Sequence, residues 1–265
     1  MSRFTANARV VAALGARSVK QTFRRPQLAS PILVFPTLLL AVQTGGAGEV
    51  ATSLPGWDTT VPTDDFLSFL LAGAILQSCL LAGNTGGIAL AVDLEMGFTD
   101  RLFVAPVSRF AIVLGRLAGV GALGALTAVW FIALGLIFGA EFEQGVPGML
   151  VMVALTSLAA AAFGGLSAAI ALYSGQASVV QGLFPLVFVI LFLSSAFFPT
   201  EFLHQPAKAV AEYNPLSFIV EGVREPVISS LTAESLAEAF GAVALIAAIS
   251  IGLSAAALRR RLRIG

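Results

Sequence analysis

The sequence has few of the residues on which soluble proteins and enzymes depend. Only 11% of its 265 residues are charged, whereas charge makes up about a quarter of a typical soluble domain. Cys79 and His204 are the single cysteine and the single histidine. An intrachain disulfide is therefore excluded, and a cysteine–histidine metal site is not expected. No Ser-His-Asp set or catalytic carboxylate pair is evident either, which argues against an enzyme.

Two further absences bear on the source of energy. The phosphate-binding pattern Gly-x-x-x-x-Gly-Lys-Ser/Thr is missing, and the glycine-rich segment 83–87 lacks the required lysine. The long apolar segments hold no Asp, Glu, Lys or Arg away from their ends, although proton- and sodium-coupled transporters usually keep one near mid-membrane. The sequence therefore argues against nucleotide hydrolysis by this chain and against secondary transport.

Hydrophobic residues make up 57% of the chain, and the mean hydropathy is +0.92. A helix needs about 20 mostly apolar residues to cross the bilayer core. Six stretches meet this requirement, and we expect an all-α membrane protein with six transmembrane helices. The predicted spans are 27–44, 66–92, 110–139, 147–173, 179–199 and 236–258.

The basic residues are distributed unevenly between the two sets of loops. With the N-terminus inside, 13 of the 15 Lys and Arg residues lie on the inner side, and only Lys208 and Arg224 lie outside. The positive-inside rule then places both termini in the cytoplasm of a multi-pass protein of the cytoplasmic membrane. We expect a cytoplasmic segment 1–26, a membrane domain 27–258 and a basic cytoplasmic tail 259–265.

The N-terminal segment has the pattern of an amphipathic helix. In a helical projection of residues 3–25 the six cations fall on one side, while residues such as Phe4, Val11 and Phe23 fall on the other. Such a helix lies in the membrane interface, and Pro26 favours its end at residue 25. It is either a membrane anchor alone or an anchor whose polar face also meets a cytoplasmic partner.

The inner loop 93–109 places large apolar side chains among charges in a segment that should face water. A short helix of this kind can dock into a groove of a partner protein, or it can pack back onto its own bundle. Short helices are also expected in the outer loop 200–235, before the last span.

The run 94–102 (Leu-Glu-Met-Gly-Phe-Thr-Asp-Arg-Leu) followed by 106–109 (Pro-Val-Ser-Arg) resembles the signature loop of ABC-2 type permeases, especially those of daunorubicin-resistance and nodulation export. Segments 213–217 (Tyr-Asn-Pro-Leu-Ser) and 221–224 (Glu-Gly-Val-Arg) resemble the second signature of that family. The resemblance implies a dimer of permeases, identical or not, working with a separate ATP-binding subunit that holds the ATP and magnesium. This chain itself is then expected to bind no cofactor. It also implies that the inner loop couples to that subunit through Glu95, Met96, Gly97, Phe98, Asp100, Arg101, Leu102, Phe103 and Pro106.

Polar and aromatic residues inside two spans are candidates for the substrate path. In the second span Gln77 and Asn84 are seven residues apart and share a helix face. In the fifth, Phe184 and Phe188 lie four apart, near Gln181. Each set either lines the path or mediates helix packing, for which small and polar residues are commonly used.

Together these features predict the permease subunit of an ABC exporter for a hydrophobic or amphipathic compound, such as a drug or a lipid-like molecule. Its expected partners are the ATP-binding subunit, a second permease copy and membrane lipid, but not nucleic acid. Export of a polysaccharide or lipid-linked glycan is the alternative within transport. A secondary transporter or a membrane scaffold is the alternative outside it.

Overall fold

The computed structural model describes residues 11–13, 15–17, 19–20, 26–63, 65–97 and 109–264. These residues form helices and connecting turns, without a β-strand among them. From residue 26 onwards they contain ten α-helices, which we number in chain order. They are α1 Pro26–Thr52, α2 Trp57–Thr60, α3 Phe66–Glu95, α4 Arg109–Phe138, α5 Gly145–Ser174, α6 Ala177–Gly182, α7 Phe184–Phe192, α8 Ala207–Tyr213, α9 Pro215–Ile228 and α10 Ala233–Ile264.

Five helices in the described part of the chain are long and apolar enough to cross a membrane, namely α1, α3, α4, α5 and α10. They coincide with predicted spans one, two, three, four and six. The prediction of an all-helical, multi-pass membrane protein is therefore confirmed, and the total of six spans stays a prediction.

The predicted fifth span, 179–199, differs from a continuous helix. It is divided between α6 and α7, and turns follow from Leu193 to Pro199. Pro185 lies at the start of α7. Proline has no backbone N–H, and its ring crowds the carbonyl four residues earlier, on Gln181, so helical hydrogen bonding is interrupted between α6 and α7, at Leu183. Apolar composition predicted the segment, but it did not reveal the break.

Two prolines of the first span lie inside a continuous helix. Pro31 and Pro36 are both within α1. Because Pro36 lacks an N–H, the carbonyl four residues earlier, on Ile32, loses its usual helical partner. The Ser78 hydroxyl of α3 donates to that carbonyl over 2.9 Å. Membrane helices tolerate proline where a neighbouring side chain satisfies the freed group in this way.

Helix α3 lies at the centre of the bundle and packs against α1, α4 and α5. Helix α5 also packs extensively against α10. A large apolar core runs through these contacts. A smaller one, the satellite core, surrounds the last turns of α3 and includes Leu90, Leu94, Leu172, Val180 and Leu258.

The bundle has two ends, which we name after one residue of each. At the Glu95 end, α3 and α5 finish and α6 begins. At the Trp57 end, α2 packs beside the start of α3, and the buried Trp57 ring contacts Phe66, Phe69 and Phe202. Helices α8 and α9 precede α10 at this end, so the short helices expected in segment 200–235 are present.

The described part of the N-terminal segment is helical at 11–13, 15–17 and 19–20. Gly15 is buried, and a β-carbon added to it would meet that of Ala118 at 3.2 Å. Arg17 and Lys20 are exposed. This placement is compatible with an amphipathic helix along the bundle. Residues 1–10, 14, 18 and 21–25 lie outside the described residues, and the full interfacial helix stays a prediction.

Candidate coupling and transport sites

The first part of the inner loop continues directly from α3. Glu95 is the last residue of that helix, and Met96 is 68% exposed. Gly97 has φ +67°, a conformation that glycine adopts without a steric penalty and that turns the chain away from the helix. Of the predicted coupling residues, these three are described. The other six, Phe98, Asp100, Arg101, Leu102, Phe103 and Pro106, lie outside the described residues.

Two polar contacts hold the end of α3 at this point. An Asp93 oxygen lies 2.5 Å from an Arg116 nitrogen of α4. A Glu95 carboxylate oxygen accepts a hydrogen bond of 2.8 Å from the backbone N–H of Ala177, the first residue of α6. The second contact joins residues 82 apart in the sequence. The sequence had left open whether this loop docks on a partner or packs back onto its own bundle, and Glu95 makes this contact within the bundle.

The candidate path residues occupy different environments. Gln77 is 1% exposed, and its side-chain nitrogen has no hydrogen-bond partner among the described residues. Asn84 and Phe188 are half-buried, whereas Gln181 is exposed. Phe184 is the first residue of α7, and its side chain is not among those that the structure describes.

On α7, the Phe188 ring makes an edge contact with Phe35 of α1, with 6.1 Å between the ring centroids. It also lies 6.4 Å from the Phe192 ring. The described structure thus brings Phe188 next to α1.

Glycines of α3 allow α5 to approach closely. A β-carbon at Gly83 would lie 2.8 Å from the β-carbon of Phe163, and one at Gly87 would lie 2.7 Å from the backbone carbonyl of Ser167. These two glycines are four residues apart, the spacing of close-packed membrane helix pairs. The glycine-rich segment 83–87 therefore has a packing role in this fold.

The polar site of the Trp57 end was not recognised as a site from the sequence. Arg224 of α9 is 2% exposed. Its guanidinium donates to the carbonyls of Ser195 at 2.7 Å, Ala196 at 3.2 Å and Phe69 at 3.2 Å. It also pairs with Glu221 at 2.6 Å and lies 3.9 Å from the centre of the Phe69 ring. A planar fork of donors suits such a cluster of acceptors.

The second signature thus holds the turn that follows α7. The Asn214 side-chain amide donates to the carbonyls of Ile190 at 2.8 Å and Leu193 at 3.0 Å, while its oxygen accepts from the Leu216 N–H. The last carbonyls of a helix have no partner within the helix. Here Asn214 supplies donors at the end of α7, and Arg224 supplies donors to the turn that follows. The available signal was an Asn-Pro helix start followed by an arginine three residues after a glutamate, the spacing of an ion pair on one helix face.

An acidic cavity of about 420 Å³ opens beside this network. Its lining includes Arg224 and five glutamates, which are Glu201, Glu212, Glu221, Glu225 and Glu238. Glu225 accepts a hydrogen bond from Ser235 of α10, so part of the acidic lining is engaged within the chain. The cavity gives the Trp57 end an excess of negative charge.

The long apolar helices and the two polar ends define a polytopic helical membrane protein. Residues 9–228 match the family model described as ABC-2 type transporter. Because the match covers more than half of the chain, the chain belongs to the ABC-2 type transporter family and is a transmembrane permease of that family.

Several curated relatives agree with this assignment. The chain is 28% identical over 222 residues to a protein of Pyropia yezoensis named as a transport permease, ycf38, with 81% of this chain and 72% of the relative covered. It is 26% identical over 216 residues to the ycf38 protein of Porphyra purpurea, with the same shares covered. It is also 24% identical over 147 residues to a protein of Mycobacterium tuberculosis named as a doxorubicin-resistance ABC transporter permease, DrrC, with 54% of this chain and 53% of the relative covered.

Proposed function

We propose that this permease is the transmembrane subunit of an ABC exporter that moves a hydrophobic or amphipathic compound out of the cell. The family match over residues 9–228 is the observation that supports it most directly. A separate subunit binds and hydrolyses ATP, and two permease copies enclose the path. The proposed cargo class draws support from the similarity to a doxorubicin-resistance permease and from the absence of charge in the middle of the long helices.

The direct test uses the permease reconstituted in liposomes with its ATP-binding subunit and doxorubicin as the probe. We expect ATP-dependent doxorubicin movement, which should cease when the catalytic site of the ATP-binding subunit is inactivated. Stimulated ATP hydrolysis without movement of any apolar probe would direct the search to glycan cargo. Absence of any complex with an ATP-binding subunit would refute the proposal.

We further propose that the Glu95 end faces the cytoplasm. Arg109, Arg116, Arg259 and Arg260 belong to the helix ends on this side, whereas the glutamates around the acidic cavity belong to the other. This distribution follows the positive-inside rule. In a Cys79→Ser background, a cysteine at Asp58 should react with an impermeant thiol reagent in sealed cells, and one at Met96 should not. The reverse result would invert the topology.

The loop 93–109 is proposed as the contact with the ATP-binding subunit. Phe98→Asp should reduce recovery of the complex, because burying an unpaired charge in an apolar groove costs several kcal/mol. Leu54→Asp is the matched control, since Leu54 is 45% exposed at the Trp57 end. Equal recovery of the two variants would contradict the proposed contact.

Gln77, Asn84, Gln181, Phe184 and Phe188 remain the proposed path residues. Asn84 and Phe188 are the most direct tests, because both are half-buried in one protomer and can contribute to a seam between two. Asn84→Leu and Phe188→Ala should change the ranking among several apolar probes while basal ATP hydrolysis stays near that of the wild type. A uniform loss over all probes would assign these residues to helix packing instead.

A further inference from the structure

Glu95 provides the N-terminal cap of α6. The first backbone N–H groups of a helix have no partner within the helix. The residue before α6, Gln176, makes no side-chain capping bond. The Glu95 carboxylate, from another helix, accepts from Ala177 N–H at 2.8 Å instead. A carboxylate at this position also interacts favourably with the positive end of the helix dipole.

An apolar contact reinforces this connection. Val180 of α6 is 1% exposed and belongs to the satellite core with Leu90 and Leu94, which lie in the last turns of α3. Helix α6 is thus attached to the Glu95 end of the bundle, where one hydrogen bond joins it to α3 and Val180 packs in a core that α3 shares with α5 and α10. The inner loop begins at the same turn, immediately after Glu95.

Helix α7 is attached elsewhere. Its end and the following turn receive hydrogen bonds from Asn214 and Arg224 at the Trp57 end. Between α6 and α7 lies a break, where Gly182 has open space around it and Pro185 interrupts the helical hydrogen bonding. The two halves of the predicted fifth span are therefore held at opposite ends of the bundle, and the break lies between the two attachments.

We propose that α6 moves as one body with the last turns of α3, from which the inner loop continues, and that segment 182–185 is the hinge at which this movement changes the position of α7. Glu95 is then a positioning residue that acts inside the permease, and its primary contact is Ala177 rather than the ATP-binding subunit. Because Phe188 of α7 contacts α1, the hinge relays loop movement to a candidate path residue. This inference depends on the proposed ATP-driven mechanism.

Spin-label distance measurements on the complete complex test the proposal. Labels replace Val92, Val179 and Val189, which are 37%, 39% and 54% exposed, in a Cys79→Ser background. We expect the 92–179 distance to be the same in the nucleotide-free and the ATP–vanadate states, and the 179–189 distance to differ between them. A shift of the 92–179 pair, or an unchanged 179–189 pair in an active complex, would overturn the proposal.

Two substitutions separate a cap from a contact with the partner. Glu95→Gln retains an oxygen that can accept from Ala177 N–H, whereas Glu95→Ala retains none. We expect Glu95→Ala to broaden the 92–179 distances and to remove most of the ATP-dependent change at 179–189. Glu95→Gln should preserve both, and it should recover more of the complex with the ATP-binding subunit than Glu95→Ala, because any effect on binding then follows the loss of the cap. Equal loss of complex in both variants would show a charge contact with the partner and would contradict the proposal.

ATP hydrolysis measured in the same samples distinguishes a failure of the proposed function from a failure of the hinge. Wild-type permease that fails to recruit or stimulate the ATP-binding subunit would refute the proposed function, and the hinge with it. Normal stimulation, with distances that contradict the expected pattern, would refute the hinge alone.

Discussion

The proline in α1 provides a quantitative test of how this fold satisfies its backbone inside the membrane. The Ile32 carbonyl loses its helical partner to Pro36 and receives the Ser78 hydroxyl instead, at 2.9 Å. Ile32 is 1% exposed and Ser78 is fully buried, so water cannot replace the hydroxyl. Ser78→Ala should therefore leave a buried carbonyl unsatisfied, which costs about 1–3 kcal/mol. Interhelical hydrogen bonds measured in membranes rarely exceed about 1.7 kcal/mol, so we expect a value near 1.5 kcal/mol.

A double-mutant cycle isolates the cause of this loss. Pro36→Ala restores an N–H that can pair with the Ile32 carbonyl, so Ser78→Ala in that background should cost only a few tenths of a kcal/mol. The coupling between the two positions should then be about 1 kcal/mol, within the range found for residues that share a partner. Ser250→Ala is the control, because that buried hydroxyl bonds to a carbonyl of its own helix, on Ala247.

The measurement is denaturation by sodium dodecyl sulfate in mixed micelles, followed by circular dichroism or tryptophan fluorescence. An equal cost of Ser78→Ala with and without Pro36 would refute the reasoning, because the hydroxyl would then not be compensating for the proline. A large cost of Ser250→Ala would also count against it, since loss of any buried hydroxyl would then have the same effect.

Three further predictions concern the Trp57 end and the α3–α5 contact. Arg224→Met should lower the melting temperature of the detergent-purified protein strongly, by the equivalent of about 3 kcal/mol, because it leaves three carbonyls without their donor; Lys208→Met should change it little. Asn214→Asp should lower the melting temperature more than Asn214→Ser does. Aspartate can still cap α9, but its carboxylate would be repelled by the two carbonyl oxygens to which the amide now donates. Thermal denaturation of the same detergent-purified protein compares the two variants. Gly87→Ala should cost about 2 kcal/mol of stability by overpacking. Gly45→Ala should be nearly neutral, because Gly45 has open space around it. Equal melting temperatures for these two variants would contradict the close approach of α3 and α5.

The long helices could be predicted from sequence because each needs only a sufficient apolar run. The break in the fifth span could not, since apolar residues lie on both sides of Pro185. Pro36 shows why the residue type alone is insufficient: it has the same missing N–H, yet its helix continues. In α1 another helix supplies a donor to the freed carbonyl, through Ser78. That information is tertiary, and a hydropathy profile does not contain it.

The candidate site shows the same limit in a different form. The resemblance to a family signature drew attention to segments 94–106 and 213–224, but it could not say which atoms those residues contact. Glu95 bonds to a backbone N–H that lies 82 positions away, and Arg224 reaches the Phe69 carbonyl, 155 positions away. In both contacts the partner is a backbone group. Every residue has such a group, so the identity of the partner residue does not indicate the contact. Sequence patterns identify polar side chains that need a partner in an apolar fold, but a backbone partner leaves no mark in the sequence.

The two signatures therefore have a common physical task in this fold. The two outer ends of the fifth span carry groups that a helix cannot pair internally, namely N–H groups where α6 begins and carbonyls where α7 ends. The Glu95 carboxylate supplies an acceptor for the first residue of α6, and the Asn214 and Arg224 side chains supply donors to the carbonyls after α7. The acidic side chain at the start of α6 also matches the sign of the helix dipole there. A broken span held in this way can change its bend at 182–185 without leaving either end unsatisfied.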